Sequence, residues 1–193
     1  RRWADSAGYM VWRPNLGHTV TAGLGLPQLA LQRCAEDFRF LADHAMVGLD
    51  IDSVRDHWST QGLQQYLIAR LAWNPYADHE ALIQDFFQRG FGPAAAAVAA
   101  YYSELERLFC LYVDSAGRLP RFDQYQRLAD FYAPEAVTAL EARLDQAARL
   151  VSDADELYRR RVAFVRLGLD FISALMQSYQ AMTEVRARPP DMI

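Results

Sequence analysis

The sequence predicts a mainly α protein with a small α/β portion: the last two βα units of a (β/α) barrel, followed by a helical bundle. Two short apolar runs, residues 8–12 and 46–51, are each bounded by turn residues, as buried strands are. Each is followed by a segment with helical periodicity. After Trp73 the pattern becomes entirely helical.

The first part of the chain alternates strands with helices. Residues 15–27 contain three glycines and Pro27, which predicts a long loop after the first strand. Apolar residues then recur every three or four positions over residues 29–45 and again over residues 60–73, which predicts two helices. Such alternation favours parallel strands joined by helical crossovers. Two such units suit either the last two units of an eight-stranded barrel or the edge of a doubly wound sheet. Of these we assign residues 1–74 to the carboxyl-terminal βα units of a barrel.

The remaining residues, 75–193, are predicted to form a helical domain. Asp78 is a suitable N-cap for a helix that ends at Gly92, and Pro93 suits the first position of the next helix. A helix from Pro134 and another after Ser152 both carry apolar seams with spacings of three and four. These seams predict a long antiparallel helix pair at the end of the domain.

Composition excludes several classes of protein. Hydrophobic residues make up 52% of the chain, which is too many for a disordered protein, and a net charge of −4 argues against a nucleic-acid surface. No apolar run is long enough to span a membrane. The histidines and the two cysteines lack metal-ligand spacing, so we expect no metal and no cofactor. Because the chain begins at Arg1 without a leader, we expect it to be a fragment, and the sequence does not fix its compartment.

Two aspartates follow the second predicted strand. Alternation places Val47, Leu49 and Ile51 on one face, and Asp50 and Asp52 on the other, roughly 6–7 Å apart. Such a carboxylate pair is compatible with acid/base catalysis of glycoside hydrolysis. It is equally compatible with hydrogen bonding to sugar hydroxyls, or with structural ion pairs to nearby arginines.

Aromatic and polar side chains near the same strand ends suit carbohydrate binding. Trp12 and Trp58 are candidate platforms for stacking against a pyranose ring, although either could instead be buried beneath a loop. The residues placed to bond sugar hydroxyls are Arg13, Asn15, Arg55 and His57.

Residues 58–106 resemble the end of the barrel in a group of bacterial glycoside-hydrolase-like proteins, many known only as a domain of unknown function. The group includes endo-β-N-acetylglucosaminidases that act on N-glycans. The similarity rests on Trp58, Gly62, Leu63, Tyr66, Ala69, Arg70, Leu71, Trp73, Asn74, Pro75, Asp78, Phe91, Gly92, Pro93, Ala94, Ala95, Tyr101 and Tyr102. Upstream, residues 9–15 and 45–52 are similar to the last two barrel strands.

The resemblance implies a glycosidase barrel that acts on a glycan. Members tend to carry a glutamate near the end of the final strand, where this chain has Asp50 and Asp52. The other catalytic carboxylates are expected on earlier strands of a longer polypeptide, so the chain by itself is expected to be inactive. The family also suggests an extracytoplasmic or periplasmic location.

Three functional hypotheses follow from the sequence. The first is the carboxyl-terminal portion of a glycoside hydrolase, with a glycan as substrate and the rest of the longer polypeptide as its partner. The second is a non-catalytic helical interaction domain whose helix pair over residues 134–185 forms a homodimer or a docking surface. This hypothesis requires the apolar seam over residues 158–179 to be exposed. The third is a sugar-binding module without hydrolysis.

Overall fold

The computed structural model describes residues 5–14, 25–51, 57–116 and 130–187. It divides into two compact units, a first unit of Arg1–Gly90 and a second unit of Phe91–Ile193. Over these residues the protein is mainly helical with one small parallel sheet, as the sequence predicts. The division falls later than the predicted boundary at residue 74, because one further helix is grouped with the first unit.

Two strands and three helices make up the described part of the first unit. In chain order they are β1 (Met10–Trp12), α1 (Leu31–Ala42), β2 (Met46–Leu49), α2 (Trp58–Trp73) and α3 (His79–Phe91), the last of which ends one residue into the second unit. The order of elements agrees with the sequence prediction.

The two strands pair in parallel, as the alternation of strands and helices predicts. Met10 lies opposite Met46 and Trp12 opposite Leu49, with an irregularity between Met10 and Val11. Helix α1 packs against both β2 and α2, so it forms the crossover between the two strands. The described residues contain this strand pair alone, and the rest of the barrel stays a prediction.

The segment that leads into α1 is held by polar side chains of α2. The buried Thr60 hydroxyl donates to the carbonyl of Gly25 at 2.7 Å, and the Gln61 amide donates to the carbonyl of Leu26 at 3.2 Å. The side-chain carbonyl of Gln64 accepts from the backbone N–H of Ala30 at 3.1 Å. These bonds satisfy backbone groups of a buried segment that has no secondary structure of its own.

The second unit begins with a 3₁₀ turn, Gly92–Ala94, and continues with α4 (Ala95–Ala116), α5 (Pro134–Leu150) and α6 (Glu156–Ala187). Helix α5 packs against both α4 and α6, and the 3₁₀ turn contacts α5 and α6. Ala94, Ala95 and Ala97 are buried, which agrees with the expectation that the alanine run allows close helix packing. None of the helices in the described ranges is long and apolar enough to cross a membrane.

The start of one helix agrees with the sequence prediction, and the start of another differs from it. The carboxylate of Asp78 accepts from the backbone N–H groups of Glu80 and Ala81, so Asp78 caps α3 as predicted. At α6 the predicted cap was Ser152. The carboxylate of Asp155 accepts from the N–H of Leu157 instead, because the helix begins only at Glu156.

The apolar seam predicted for α6 is buried. Its five central side chains are at most 3% exposed: Val162, Val165, Leu169, Ile172 and Met176. On α5 the matching residues Leu140, Leu144 and Ala147 are fully buried. An ion pair between Arg166 and Asp145 also joins these two helices. The predicted seam is therefore used within the chain, and it is not available to a partner helix as the homodimer hypothesis required.

Gly92 and Gly90 provide a matched pair of substitutions. Gly92 has a φ of +49°, and a Cβ at this position would lie 2.8 Å from the ring of Tyr158. We expect Gly92→Ala to lower the free energy of unfolding by about 1–3 kcal/mol, because the residue would be strained even if the tyrosine ring moved aside. The measurement is urea unfolding followed by far-ultraviolet circular dichroism.

Gly90→Ala is the control for this prediction. Gly90 lies within α3, and a Cβ there would meet nothing within 4 Å. We expect this substitution to raise stability by up to about 1 kcal/mol, since alanine favours helix over glycine. A Gly92→Ala protein as stable as Gly90→Ala would contradict the account of the 3₁₀ turn.

Candidate functional site

The carboxyl ends of the two strands lie side by side. The backbone N–H of Asp50 donates to the carbonyl of Trp12 at 2.9 Å, so the chain remains paired just beyond β2. The guanidinium Nε of Arg13 lies 3.5 Å from the Asp50 carboxylate, and both side chains are about 60% exposed, at 60% and 63%. One of the alternatives raised by the sequence, a structural ion pair between Asp50 and Arg13, is therefore present.

The two faces of the strand pair have different surroundings. Trp12 and Leu49 are register partners and share a face, which packs towards α1: the Trp12 ring contacts Phe38 edge-on at 5.4 Å. Consecutive strand residues alternate between faces, so Asp50 lies on the face opposite Leu49. The structure thus puts Trp12 on the helical side, and it does not bring Trp12 together with Asp50 as the sugar-platform hypothesis required.

A cavity of about 170 Å³ lies on the helical side of the strand ends. Trp12, Leu49 and Ile51 form its strand side, and Cys34 and Phe38 of α1 line the opposite part. Asp50 does not line it. Its volume is below the several hundred Å³ of ordinary ligand sites, and we regard it as a packing cavity of the βα layer.

Four glutamines, together with Arg33 and Asp37, contribute the polar part of this cavity, and the sequence analysis did not identify them. Gln28, Gln61, Gln64 and Gln65 all line it. The signal was present in α2, where glutamines at 61, 64 and 65 are spaced by three and four residues and so share one helix face. Two of them bond the backbone of the segment before α1, so their function in this structure is to hold that segment in place.

Cys34 also lines the cavity. Burial raises the pKa of its thiol to about 12, and the hydrogen bond with Gln64 only partly offsets that effect. A thiol in this state is neutral near pH 7 and is a poor nucleophile. Cys34 thus acts as a small apolar residue, whereas Cys110 is exposed.

His57 and Trp58 lie at the start of α2. His57 precedes the helix, its carbonyl accepts from the N–H groups of Thr60 and Gln61, and its ring lies close to Gly25. A Cβ on Gly25, whose φ is +74°, would lie 2.6 Å from that ring. Trp58 is the first residue of α2 and is half exposed. His57 therefore packs against the chain, whereas the indole of Trp58 remains accessible to a ligand.

Three of the predicted site residues lie outside the described residues: Asn15, Asp52 and Arg55. The separation of Asp50 and Asp52 therefore stays a prediction. Within the described ranges, no three or more histidine, cysteine, aspartate and glutamate side chains are grouped so that they could hold a metal ion. Arg13 and Asp50 are the predicted site residues that the structure brings into contact.

The two cysteines provide a test of the burial of Cys34. Cys110 is exposed, although partial burial raises its pKa as well, whereas Cys34 is mostly buried. With an aromatic disulfide reagent at pH 8, we expect Cys110 to react at least about 100-fold faster than Cys34, since burial keeps the Cys34 thiol neutral and restricts access of the reagent.

Variants that lack one cysteine assign the fast and the slow phase of the reaction to their residues. Cys110→Ala should remove the fast phase, Cys34→Ala should remove the slow phase, and both thiols should react alike in urea. Equal rates in the folded protein would contradict the burial of Cys34.

Comparisons with known proteins give a family match for the first part of the chain. Residues 13–104 match a family of proteins described as a domain of unknown function, DUF4838. The matched region begins at Arg13, includes Asp50 and helices α1 to α3, and ends within α4. No curated protein and no solved structure matches the chain. The chain is thus similar over about half its length to a domain whose function its description leaves open.

Proposed function

We propose that the first unit is the closing part of a glycoside-hydrolase-like (β/α) barrel, and that Arg13 and Asp50 face its carbohydrate cleft. The observation that carries the proposal is the exposed pair of these two side chains at adjacent carboxyl ends of parallel strands. In βα barrels the chemistry is carried out at this end of the strands. The second unit would then be the helical tail of the same protein.

The exposed face of the strand pair supports this proposal. Two large side chains on or beside β1 are solvent-accessible, namely Tyr9 at 69% and Val11 at 57%, and alternation places both on the face opposite Trp12. Parallel sheets are normally covered on both faces, and two strands are too few to be stable alone. In a barrel, apolar side chains on this face would be covered by side chains from strands across the interior.

The Arg13 and Asp50 pair has the chemistry that a sugar cleft needs. A carboxylate accepts hydrogen bonds from sugar hydroxyls, and a guanidinium donates several in a fixed geometry. Hydrolysis additionally needs a second carboxyl group, about 5 Å away for retention of configuration or further for inversion. We assign that role to Asp52 or to a carboxylate on an earlier strand.

The sequence resemblance supports the same assignment independently of the strand geometry, and the matched family domain covers the same part of the chain. The match covers the strand ends and the three helices that follow. The resemblance includes endo-β-N-acetylglucosaminidases, so N-glycans are the first substrates to test. A sugar-binding module without hydrolysis is the second candidate, because the ion pair with Arg13 is as well suited to holding a hydroxyl as to chemistry.

The test is the kinetics of Asp50→Asn in a polypeptide that contains the complete barrel, with N-glycan glycopeptides and a panel of aryl glycosides as substrates. If Asp50 takes part in proton transfer, we expect turnover to fall by about 10²–10⁴-fold with little change in KM. If Asp50 only binds the sugar, KM should rise while turnover changes little.

Asp85→Asn is the matched control for Asp50→Asn. Asp85 forms an ion pair with Arg89 within α3, and both side chains are solvent-accessible. Removing either ion pair should change the free energy of unfolding by less than about 1 kcal/mol. A difference in kinetics between the two variants would therefore not reflect unfolding. Unchanged kinetics in Asp50→Asn, or no hydrolysis and no glycan binding by the complete barrel, would overturn the proposal.

A further inference from the structure

Helix α6 carries a second apolar face, separate from its buried seam. Five side chains on this face are about half exposed: Leu157 at 50%, Phe164 at 48%, Leu167 at 62%, Met182 at 47% and Val185 at 50%. Phe171, at 41%, lies on the same face. We call these six residues the α6 stripe. An exposed apolar band of this length on one helix marks a surface that binds something apolar.

The spacing of the α6 stripe makes it a continuous band. Leu157, Phe164, Phe171 and Val185 fall on one heptad series, with Ser178 at the remaining position. At 100° per residue, the centre of the stripe lies roughly 140° around the helix axis from the centre of the buried seam. The stripe is therefore not the edge of the core. It extends over about 40 Å at 1.5 Å per residue.

We propose that the α6 stripe binds the same stripe of a second copy of this chain, with the two helices antiparallel. The heptad series is symmetric about Phe171, which fits a two-fold axis at that residue. In this register Leu157 lies opposite Val185 of the other copy, and the large Phe164 lies opposite the small Ser178. In the same register Leu167 lies opposite Leu175, and Met182 lies opposite Arg160, whose aliphatic stem can cover apolar surface.

Charge favours the antiparallel direction of the two helices. Arg160 lies on the face of the stripe, whereas Arg159 and Arg161 lie to either side of it. A parallel pair in register would bring Arg160 against Arg160 of the other copy, and like charges in an interface are costly. An antiparallel pair places the two Arg160 side chains at opposite ends, roughly 30–40 Å apart, beyond the range of screened repulsion.

The area of the α6 stripe is sufficient for a specific contact. Six side chains that each lose about 80 Å² would bury roughly 500 Å² per copy, or roughly 1,000 Å² in total, which reaches the lower limit for specific association. A contact of this size predicts a reversible dimer. It differs from the homodimer expected from the sequence, since it uses the face opposite the buried seam.

The test is the mass of the whole chain in solution by sedimentation equilibrium, which distinguishes the 22.0 kDa monomer from a dimer of twice that mass. We expect dimer at about 100 µM protein, where an interface of this size should be populated. Phe164→Glu and Phe164→Ala should each raise the dissociation constant at least about tenfold, because they remove a central anchor of the stripe.

Leu111→Glu is the control, because Leu111 is 44% exposed on α4 and lies outside the stripe. It should leave the dissociation constant unchanged, and circular dichroism should show intact helices in every variant. The register has its own test in a Cys110→Ala background. Phe171→Cys should form a disulfide-linked dimer, and Leu157→Cys should cross-link to Val185→Cys but not to itself.

Three outcomes would overturn the proposal. The first is a chain that stays monomeric at about 100 µM protein. This outcome overturns the proposal even if the monomer binds anionic vesicles through the stripe. The second is a dimer that is insensitive to both substitutions at Phe164. The third is self-linking of Leu157→Cys, which would require parallel helices.

Discussion

The parallel pairing of β1 with β2 is the constraint on which the rest of the first unit depends. Two parallel strands cannot be joined by a tight turn, so the chain must return through a crossover, which α1 provides. The crossover brings both carboxyl ends to the same edge of the sheet. That arrangement brings Arg13 and Asp50 into contact, although 36 residues of sequence lie between them. It also assigns opposite faces to the acidic residue and to the apolar residues beside it.

Packing on the helical face explains the other features of this unit. Trp12 and Leu49 face α1, and the cavity that they line is also lined by glutamines of α2, two of which bond the segment before α1. These contacts use polar side chains to hold an irregular segment, and they consume hydrogen-bonding groups that a ligand would need. The helical face is therefore structural, and the opposite face is the one on which a carbohydrate cleft would form.

The sequence predicted features that depend on local periodicity, and it failed where the answer depends on tertiary contacts. The strand pair, the helices and the Asp78 cap follow from spacing and from residue type. The face on which Trp12 lies depends on where α1 packs, and that is not visible in a three-residue strand. The grouping of α3 with the first unit reflects contacts such as Tyr66 with Phe86, between residues that are far apart in the sequence. In the sequence the cavity glutamines resemble surface residues, because the segment that they bond can be identified only in the folded structure.

The central claim is that β1 and β2 are part of a larger sheet, and the backbone N–H of Val11 tests it most directly. The N–H of Met10 and the carbonyl of Trp12 both bond β2 or the residues flanking it, so the N–H of Val11 points away from β2. Its hydrogen exchange can be compared by NMR in this chain and in a longer polypeptide that contains the complete barrel. The account predicts exchange at least about 100-fold slower in the longer polypeptide, because a neighbouring strand would accept that hydrogen bond. Equal exchange rates in the two proteins would contradict the barrel, and with it the assignment of a carbohydrate cleft.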